Sequence, residues 1–161
     1  MKIKFGNIII LLGGLMAIPS LIMAGWFWQN PLPQGNDLRS VCFINATIGY
    51  TVGYCGTILK TINGGKTWVI QCSGTTKDMY SVCFPSDPNT GYAAGAEGTI
   101  LKTTNGGISW TSQNSGTSIT LQSIHFPTDA NTGYAVGECT ILKTTNGGAT
   151  WMSQTAGTSS S

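Results

Sequence analysis

The stretch TILKTTNGGISW, residues 99–110, decides how this sequence is interpreted, because nearly the same twelve residues occur three times. The other copies are TILKTINGGKTW at residues 57–68 and TILKTTNGGATW at residues 140–151. The tryptophans that end the copies are 42 and 41 residues apart. A fixed period between about 20 and 50 residues is typical of repeat proteins, in which each repeat is one structural unit.

Two further blocks align upstream of each copy. The first is SVCF at residues 40–43 and 81–84 and SIHF at residues 123–126, and the second is Gly-Tyr-x-x-Gly, as at residues 49–53. Glycine and Asn-Gly pairs divide each repeat into short segments, as β-hairpins require. Four strand candidates follow in the first repeat, at residues 38–43, 49–53, 57–61 and 67–71. Four strands in about 42 residues is the period of a β-propeller blade.

We therefore predict an all-β fold, a partial and open β-propeller of about three four-stranded blades. The predicted blades span about residues 38–72, 79–114 and 121–155 of a repeat region at residues 25–157, before a polar tail at residues 158–161. Residues 26–29 match the end of each repeat and are predicted to form an orphan N-terminal strand.

A closed propeller has about four to eight blades, so three blades indicate an open arc. Such an arc is a fragment of a longer chain, a decayed copy, or a protomer that closes by association. Its open end faces invite protein partners or self-association.

Each repeat carries the motif Thr-x-Asn-Gly-Gly-x-Thr/Ser-Trp between its third and fourth strands. Asparagine tolerates left-handed backbone and bonds to the turn, the paired glycines accept positive φ, and tryptophan supplies a large apolar surface. The motif is therefore interpreted as a structural hairpin. Its residues are Asn63, Gly64, Gly65, Trp68, Asn105, Gly106, Gly107, Trp110, Asn146, Gly147, Gly148 and Trp151.

An apolar stretch over residues 8–28 follows Lys2 and Lys4 at the start of the sequence. This order is typical of a secretory signal peptide, predicted at residues 1–24. The alternative is an uncleaved membrane anchor over residues 8–28, whose helix would be about as long as the bilayer core is thick. With either leader helix, the repeats are predicted to be exported to a periplasm, a thylakoid lumen or the extracellular space.

The charge balance argues against a nucleic-acid partner. The chain has 8 Lys and Arg residues and 6 Asp and Glu residues, and the excess is accounted for by Lys2 and Lys4. The repeat region is therefore neutral, whereas nucleic-acid binding typically requires a basic patch. Charged residues make up 9% and hydrophobic residues 41% of the chain, which excludes a disordered charged tail.

The turn motif resembles the Asp-box, or bacterial neuraminidase repeat, with asparagine where that box usually has aspartate. The whole repeat is similar to the photosystem II stability and assembly factor family over about residues 26–157. That resemblance implies a β-propeller without known chemistry that holds partner proteins on the extracytoplasmic side. The implied partners are photosystem II subunits if the host is photosynthetic.

Two other functions stay open from the sequence. The chain could be a secreted Asp-box protein that binds glycans or resembles sialidases, or a fragment of a larger surface repeat protein. Sialidases need an arginine cluster for the carboxylate of the substrate, and Arg39 is the single arginine of this chain. We therefore predict that the protein is not an enzyme and has no catalytic residues and no cofactor.

Cys42, Cys83 and His125 occupy one position of the repeat. Cysteine and histidine are zinc ligands, so these residues are the candidates for a metal site shared by three blades. The alternative, which we favour, is that small side chains occupy a packing position and that there is no metal site. Disulfide pairing of the five cysteines cannot be deduced from their spacing.

Lys60, Lys102 and Lys143 recur in register and form a candidate partner-facing stripe that would dock an anionic surface. The alternative is a solvated strand edge that lysine protects. Asp87 and Asp129 lie in Asp-x-Asn-Thr-Gly turns, for which local turn bonding is expected and calcium binding is the alternative.

Overall fold

The computed structural model describes residues 35–155, and within them all strands belong to three antiparallel sheets. The first sheet contains β1 (Leu38–Phe43), β2 (Gly49–Gly53), β3 (Ile58–Thr61) and β4 (Val69–Gln71). The second contains β5 (Met79–Cys83), β6 (Gly91–Gly95), β7 (Ile100–Thr103) and β8 (Thr111–Gln113). The third contains β9 (Leu121–His125), β10 (Gly133–Gly137), β11 (Thr140–Thr144) and β12 (Met152–Ser153). Strands pair in chain order within each sheet, and a 3-10 turn at Ala96–Gly98 links β6 to β7.

The prediction of an all-β fold with three four-stranded blades is confirmed for this part of the chain. In the first sheet, β3 and β4 begin at Ile58 and Val69, slightly later than the sequence pattern indicates. The predicted signal peptide or anchor, the orphan strand at residues 26–29 and the tail at residues 158–161 lie outside the described residues. Between residues 35 and 155, no helix has the length and apolar character needed to cross a membrane.

The three sheets lie side by side and meet through their first strands. β1 contacts β5, and β5 contacts β9, so the first strand of each sheet lies toward the inside of the arc. β2 also contacts β5, and β6 contacts β9. The fourth strands, β4, β8 and β12, therefore form the outer rim, as expected for propeller blades.

The hydrophobic core lies between the sheets. The first core cluster joins Tyr50, Val52 and Ile58 of the first sheet to residues of the second sheet, which are Met79, Val82, Phe84, Ala93, Leu101 and Trp110. The second cluster repeats this arrangement one blade later, with Tyr92, Ala94, Ile100, Leu121, Ile124, Phe126, Ala135, Leu142 and Trp151. Each blade is therefore stabilised chiefly by the apolar area that it buries against its neighbour.

The second strand of a blade is buried when a neighbouring blade covers it. All residues of β2 and β6 are buried, whereas Tyr134 and Val136 of β10 are exposed. Close packing also explains the glycine that begins each of these strands. A Cβ atom on Gly91 would come within 2.4 Å of the Phe84 ring, so only glycine fits there.

Replacing Trp110 with alanine should lower the free energy of unfolding by about 3–5 kcal/mol, because the indole is 7% exposed and its removal leaves a cavity in the first core cluster. Chemical denaturation followed by circular dichroism measures this loss. Ile108→Ala is the matched control, since Ile108 lies in the same turn but is 76% exposed. An equal loss in both variants would contradict the packing described here.

Candidate functional site

The asparagine of each turn motif is fully engaged by the turn itself. Asn105 Oδ1 accepts hydrogen bonds from the Ser109 N–H at 3.0 Å and the Thr103 hydroxyl at 3.0 Å. Its Nδ2 donates to Ser109 Oγ at 2.9 Å, and Thr103 Oγ1 accepts from the Gly107 N–H at 2.9 Å. The same bonds form around Asn63 and Asn146. The asparagine and threonine side chains of the motif therefore hold the hairpin together.

A second turn at the same end of each blade is hydrogen-bonded to the motif through the backbone. In the second blade, Asp87 Oδ1 accepts from the Asn89 and Thr90 N–H groups at 2.7 and 2.9 Å. The Asn89 carbonyl then accepts from the Gly106 N–H at 2.9 Å. Asp129 makes the equivalent bonds in the third blade and Asn45 in the first. Local turn bonding thus accounts for the predicted aspartate turns, and their use by calcium stays untested.

The two turn aspartates favour their ionised form. At Asp87 burial opposes ionisation, but the backbone hydrogen bonds from Thr90 and Asn89 outweigh it and lower the pKa of the carboxyl. At Asp129 the N–H groups of Thr132 and Asn131 lower the pKa. The folded state therefore gains stability from these carboxylates where they are charged.

The first glycine of the motif joins one blade to the next. The Gly106 carbonyl oxygen accepts from the Tyr50 hydroxyl at 2.8 Å and from Lys60 Nζ at 2.7 Å. The Gly147 carbonyl oxygen accepts from the Tyr92 hydroxyl at 3.0 Å and from Lys102 Nζ at 2.7 Å. This pair of hydrogen bonds, with the aromatic contacts beside it, is called the blade joint below.

Three aromatic rings complete each blade joint. The Tyr50 ring stacks on Phe84 with centroids 4.0 Å apart, and Phe84 meets Trp110 edge to face at 6.1 Å. The second joint repeats this with Tyr92, Phe126 and Trp151. Burial raises the pKa of Tyr50 to about 12, so its hydroxyl remains a hydrogen-bond donor at physiological pH. For Tyr92, burial and then the nearby carboxylates raise the pKa to about 12.

The indole nitrogen atoms of the two buried tryptophans have no hydrogen-bond partner within the described residues. Gln71 Oε1 and Trp110 Nε1 each lie 3.5 Å from the point where a Cβ on Gly107 would stand. The indole is therefore held by packing in the first core cluster.

The described arc ends in two faces that each carry one half of a blade joint. The leading face, on the first sheet, consists of Val41, Phe43, Gly64 and Trp68. The trailing face, on the third sheet, consists of Ser123, Tyr134, Val136 and Lys143. Phe43 is 46% exposed, against 7% for Phe84, and Tyr134 is 37% exposed, against 0% for Tyr50.

The three lysines of the predicted stripe lie in two different environments. Lys60 and Lys102 donate to the following blade, so the structure gives both ammonium groups a partner inside the molecule. Lys143 lies on the trailing face, with its Nζ 5.6 Å from the centroid of the Tyr134 ring. That the three lysines face a partner protein stays a prediction.

The candidate metal ligands do not form a cluster in the region the structure describes, where no three His, Cys, Asp or Glu residues are placed to hold an ion. Cys42 packs against the first core cluster and Cys83 against the second, and both are half-buried. The choice between a packing position and a metal site stays a prediction. Burial raises the pKa of the Cys83 thiol. His125 is exposed, and all five cysteines are free thiols.

Sequence reasoning aligned the Gly-Tyr block without assigning a role to its tyrosine. The signal was present, because Tyr50, Tyr92 and Tyr134 recur in register with the lysines. The sequence also provided no indication of the strained backbone at Cys55 and Cys139, whose φ values are 53° and 52°. Non-glycine residues rarely adopt such values.

The outer rim of the first blade departs from the repeat. Val69 and Ile70 of β4 are 61% and 55% exposed, and the second blade has Thr111 and Ser112 at these positions. Ile62, nearby in the turn, is 70% exposed. An open groove of about 740 Å³ runs beside the end of this strand and is lined in part by Ile70, Gln71 and Cys72. Since the second blade folds with polar residues at these positions, the apolar side chains of this rim are not required for the blade to fold.

Comparison with known protein families gives a match over the second and third blades. The model of the family described as photosynthesis system II assembly factor YCF48 matches residues 69–158, which is more than half of the chain. This confirms the resemblance found in the sequence. No curated protein matches the chain.

Solved structures show the same fold. A structure of YCF48 bound to D1 peptide is similar with a TM-score of 0.67 and 24% identity, over 76% of this chain and 41% of that one. An ancestral GH74 enzyme is similar with a TM-score of 0.62 and 22% identity, over 75% of this chain and 19% of that one. The WD40 β-propeller domain of Doa1 is similar with a TM-score of 0.56 and 17% identity, over 71% of this chain and 40% of that one. The chain thus spans about two fifths of the YCF48 structure, and identities this low show the fold alone.

Replacing Asn105 with alanine should lower the free energy of unfolding by about 1–2 kcal/mol, because three hydrogen bonds of the turn are lost. Asn105→Asp is the matched control, since a carboxylate keeps the acceptor and the Ser109 hydroxyl can donate to it. Thermal unfolding at neutral pH compares them. If aspartate were as destabilising as alanine, the hydrogen-bond assignment would be wrong.

The double variant Asp87→Asn and Asp129→Asn should flatten the acid dependence of stability. The folded pKa of each carboxyl lies below the ordinary 3.8, so its stabilisation is present above that value and is lost as the pH falls through the folded pKa. Melting temperatures between about pH 5 and pH 2 measure the slope. The reciprocal variant Asn45→Asp should make the melting temperature depend more steeply on pH. If neither variant changed this slope, the lowered pKa values of Asp87 and Asp129 would be contradicted.

Proposed function

The chain belongs to the photosynthesis system II assembly factor YCF48 family, and from this premise we propose that it is an exported, non-enzymatic scaffold that binds protein partners. Where the host is photosynthetic, the proposed partners are photosystem II components. The observation that carries the proposal is the family match over residues 69–158. The D1 peptide bound in the similar YCF48 structure supports a peptide or protein as the ligand class.

The use of the repeat's polar side chains supports a scaffold rather than an enzyme. The asparagines and threonines of the turns bond to one another, and two of the three register lysines bond to the neighbouring blade. Arg39, the single arginine, stacks on the Tyr54 ring with its Cζ 4.3 Å from the centroid. A sialidase-like site would need several arginines directed at one substrate carboxylate.

The outer rim of the first blade is the proposed partner surface. The fourth strand lies at the outer edge of its sheet, where an extended peptide can add as a further strand. The Gln71 side-chain amide donates to the Val69 and Ile70 carbonyl oxygens at 3.2 Å, and such a peptide would replace this contact at the outer edge. Val69 and Ile70 add apolar side chains at a position where the second blade is polar. The adjoining groove is large enough to receive side chains of such a peptide.

A binding measurement with a D1 peptide tests the proposal. We expect saturable binding of a fluorescent peptide by anisotropy, and no binding of a peptide with the same composition in scrambled order. The variant Val69→Thr with Ile70→Ser should weaken binding about tenfold, as loss of central apolar contacts typically does. This variant gives β4 the residues of β8 and therefore should leave the fold intact.

Met152→Thr is the matched control, because Met152 is an exposed residue at the equivalent rim position of the third blade. It should leave binding unchanged. Absence of binding by the folded chain would contradict the proposed partner class. Equal binding by the wild type and the β4 variant would contradict the proposed surface alone.

Export is the second part of the proposal and is supported by the basic and apolar order of the first 28 residues. Fusion of residues 1–34 to a reporter that is active only outside the cytoplasm should give activity. Replacing residues 8–24 with polar residues should abolish it. Reporter activity without the apolar stretch would contradict the assignment of the leader.

A further inference from the structure

We propose that two copies of this chain associate head to tail, so that the trailing face of each copy meets the leading face of the other. The association would form two new blade joints and close a ring of six blades. The occupant of each open face is thus a second copy of the same chain. This inference does not rest on the proposed function.

Every group of the blade joint is present on one of the two open faces. In the two internal joints, a tyrosine and a lysine on one blade donate to a glycine carbonyl oxygen on the next. Tyr134 and Lys143 are these donors on the trailing face. Gly64 carries the equivalent carbonyl on the leading face, where it is exposed although Gly106 and Gly147 are buried.

Both half-joints already have the geometry of the complete ones. On the trailing face, Lys143 Nζ lies 5.6 Å from the Tyr134 ring centroid, as Lys60 Nζ lies 5.4 Å from that of Tyr50. On the leading face, Phe43 meets Trp68 edge to face at 6.0 Å, as Phe84 meets Trp110 at 6.1 Å. Association therefore needs little rearrangement of these side chains, which favours affinity.

A hydrogen bond from a backbone N–H to a serine hydroxyl oxygen links neighbouring first strands and fits the same register. Ser40 Oγ accepts from the Val82 N–H at 3.4 Å, and Ser81 Oγ accepts from the Ile124 N–H at 3.2 Å. The next step of the series would join Ser123 of one copy to Val41 of the other. Val41 is 61% exposed, whereas Val82 and Ile124 are 6% and 3% exposed.

The apolar residues around the joint match in the same way. Leu38 is 40% exposed at the position of Met79 and Leu121, which are both 0% exposed. Val136 is 37% exposed at the position of Val52 and Ala94, which are both fully buried. Each face thus lacks the apolar cover that the other face carries.

Closure after two copies is the part of the proposal that concerns the number of blades. Rings of about four to eight blades are known, and two copies of the described arc supply six. A head-to-tail contact forms a closed ring when its rotation permits and an open chain otherwise. The first and second joints use equivalent residues with similar distances, so we expect a joint between copies to place the next blade in the same way.

The test is the mass of the full chain in mild detergent, measured by sedimentation velocity across a dilution series. We expect a monomer–dimer equilibrium. Tyr134→Arg on the trailing face and Phe43→Arg on the leading face should each raise the dimer dissociation constant about tenfold or more, as loss of a central aromatic contact does. Both side chains are exposed in the monomer, so melting temperatures of dilute samples should change little.

Mixing the two variants separates this arrangement from any other contact. A mixed dimer regains one unaltered joint, formed by the trailing face of the Phe43→Arg copy and the leading face of the Tyr134→Arg copy. We therefore expect the mixture to dimerise more tightly than either variant alone. Ile108→Arg, at an exposed residue outside both faces, should dimerise like the wild type.

Three outcomes would overturn the proposal. A chain that stays monomeric at all concentrations means that other residues of the chain or another protein cover the faces. A dimer insensitive to both variants means that the contact lies elsewhere. A series of trimers and longer species means that the ring does not close after two copies.

Discussion

The carbonyl oxygen of the first glycine in each turn is the point on which the arrangement of the blades depends. In the second and third blades this oxygen accepts hydrogen bonds from a tyrosine hydroxyl and a lysine ammonium of the preceding blade, at 2.7 to 3.0 Å. For this oxygen to point outward, the two glycines of the turn must adopt positive φ, between 66° and 84° in the second and third blades. The threonine and asparagine bonds hold that conformation, so a local turn preference sets the packing of whole sheets.

This dependence explains how much of the structure the sequence could predict. Strand order, the hairpin and the number of described blades follow from short segments repeated in register, because their bonds are local. The role of Lys60 and Tyr50 could not be predicted in this way. The same side chains could face solvent or a neighbouring blade, and the choice depends on an acceptor 46 or 56 residues away.

The same limit applies to Cys42, Cys83 and His125. Their shared repeat position was correctly identified, and the sheets do meet at these first strands, since β1 contacts β5 and β5 contacts β9. The described residues place the two cysteines against different core clusters. His125 is exposed at the same position, so a shared position in a repeat predicts neither a shared environment nor a shared ligand.

The polar residues of the repeat are used in hydrogen bonds within its own turns. Specific binding is therefore expected at positions where the repeat is interrupted. Val69 and Ile70 break it at the outer rim, where apolar side chains replace polar ones without any need of the core. Phe43 and Tyr134 have the residue types of the repeat, but they are exposed because no neighbouring blade covers them in the described arc. In a two-copy ring, the second joint forms between copies that the first joint already holds together. The translational entropy lost on association is therefore lost only once. Closed dimers are therefore favoured over open chains whenever the rotation between blades allows both.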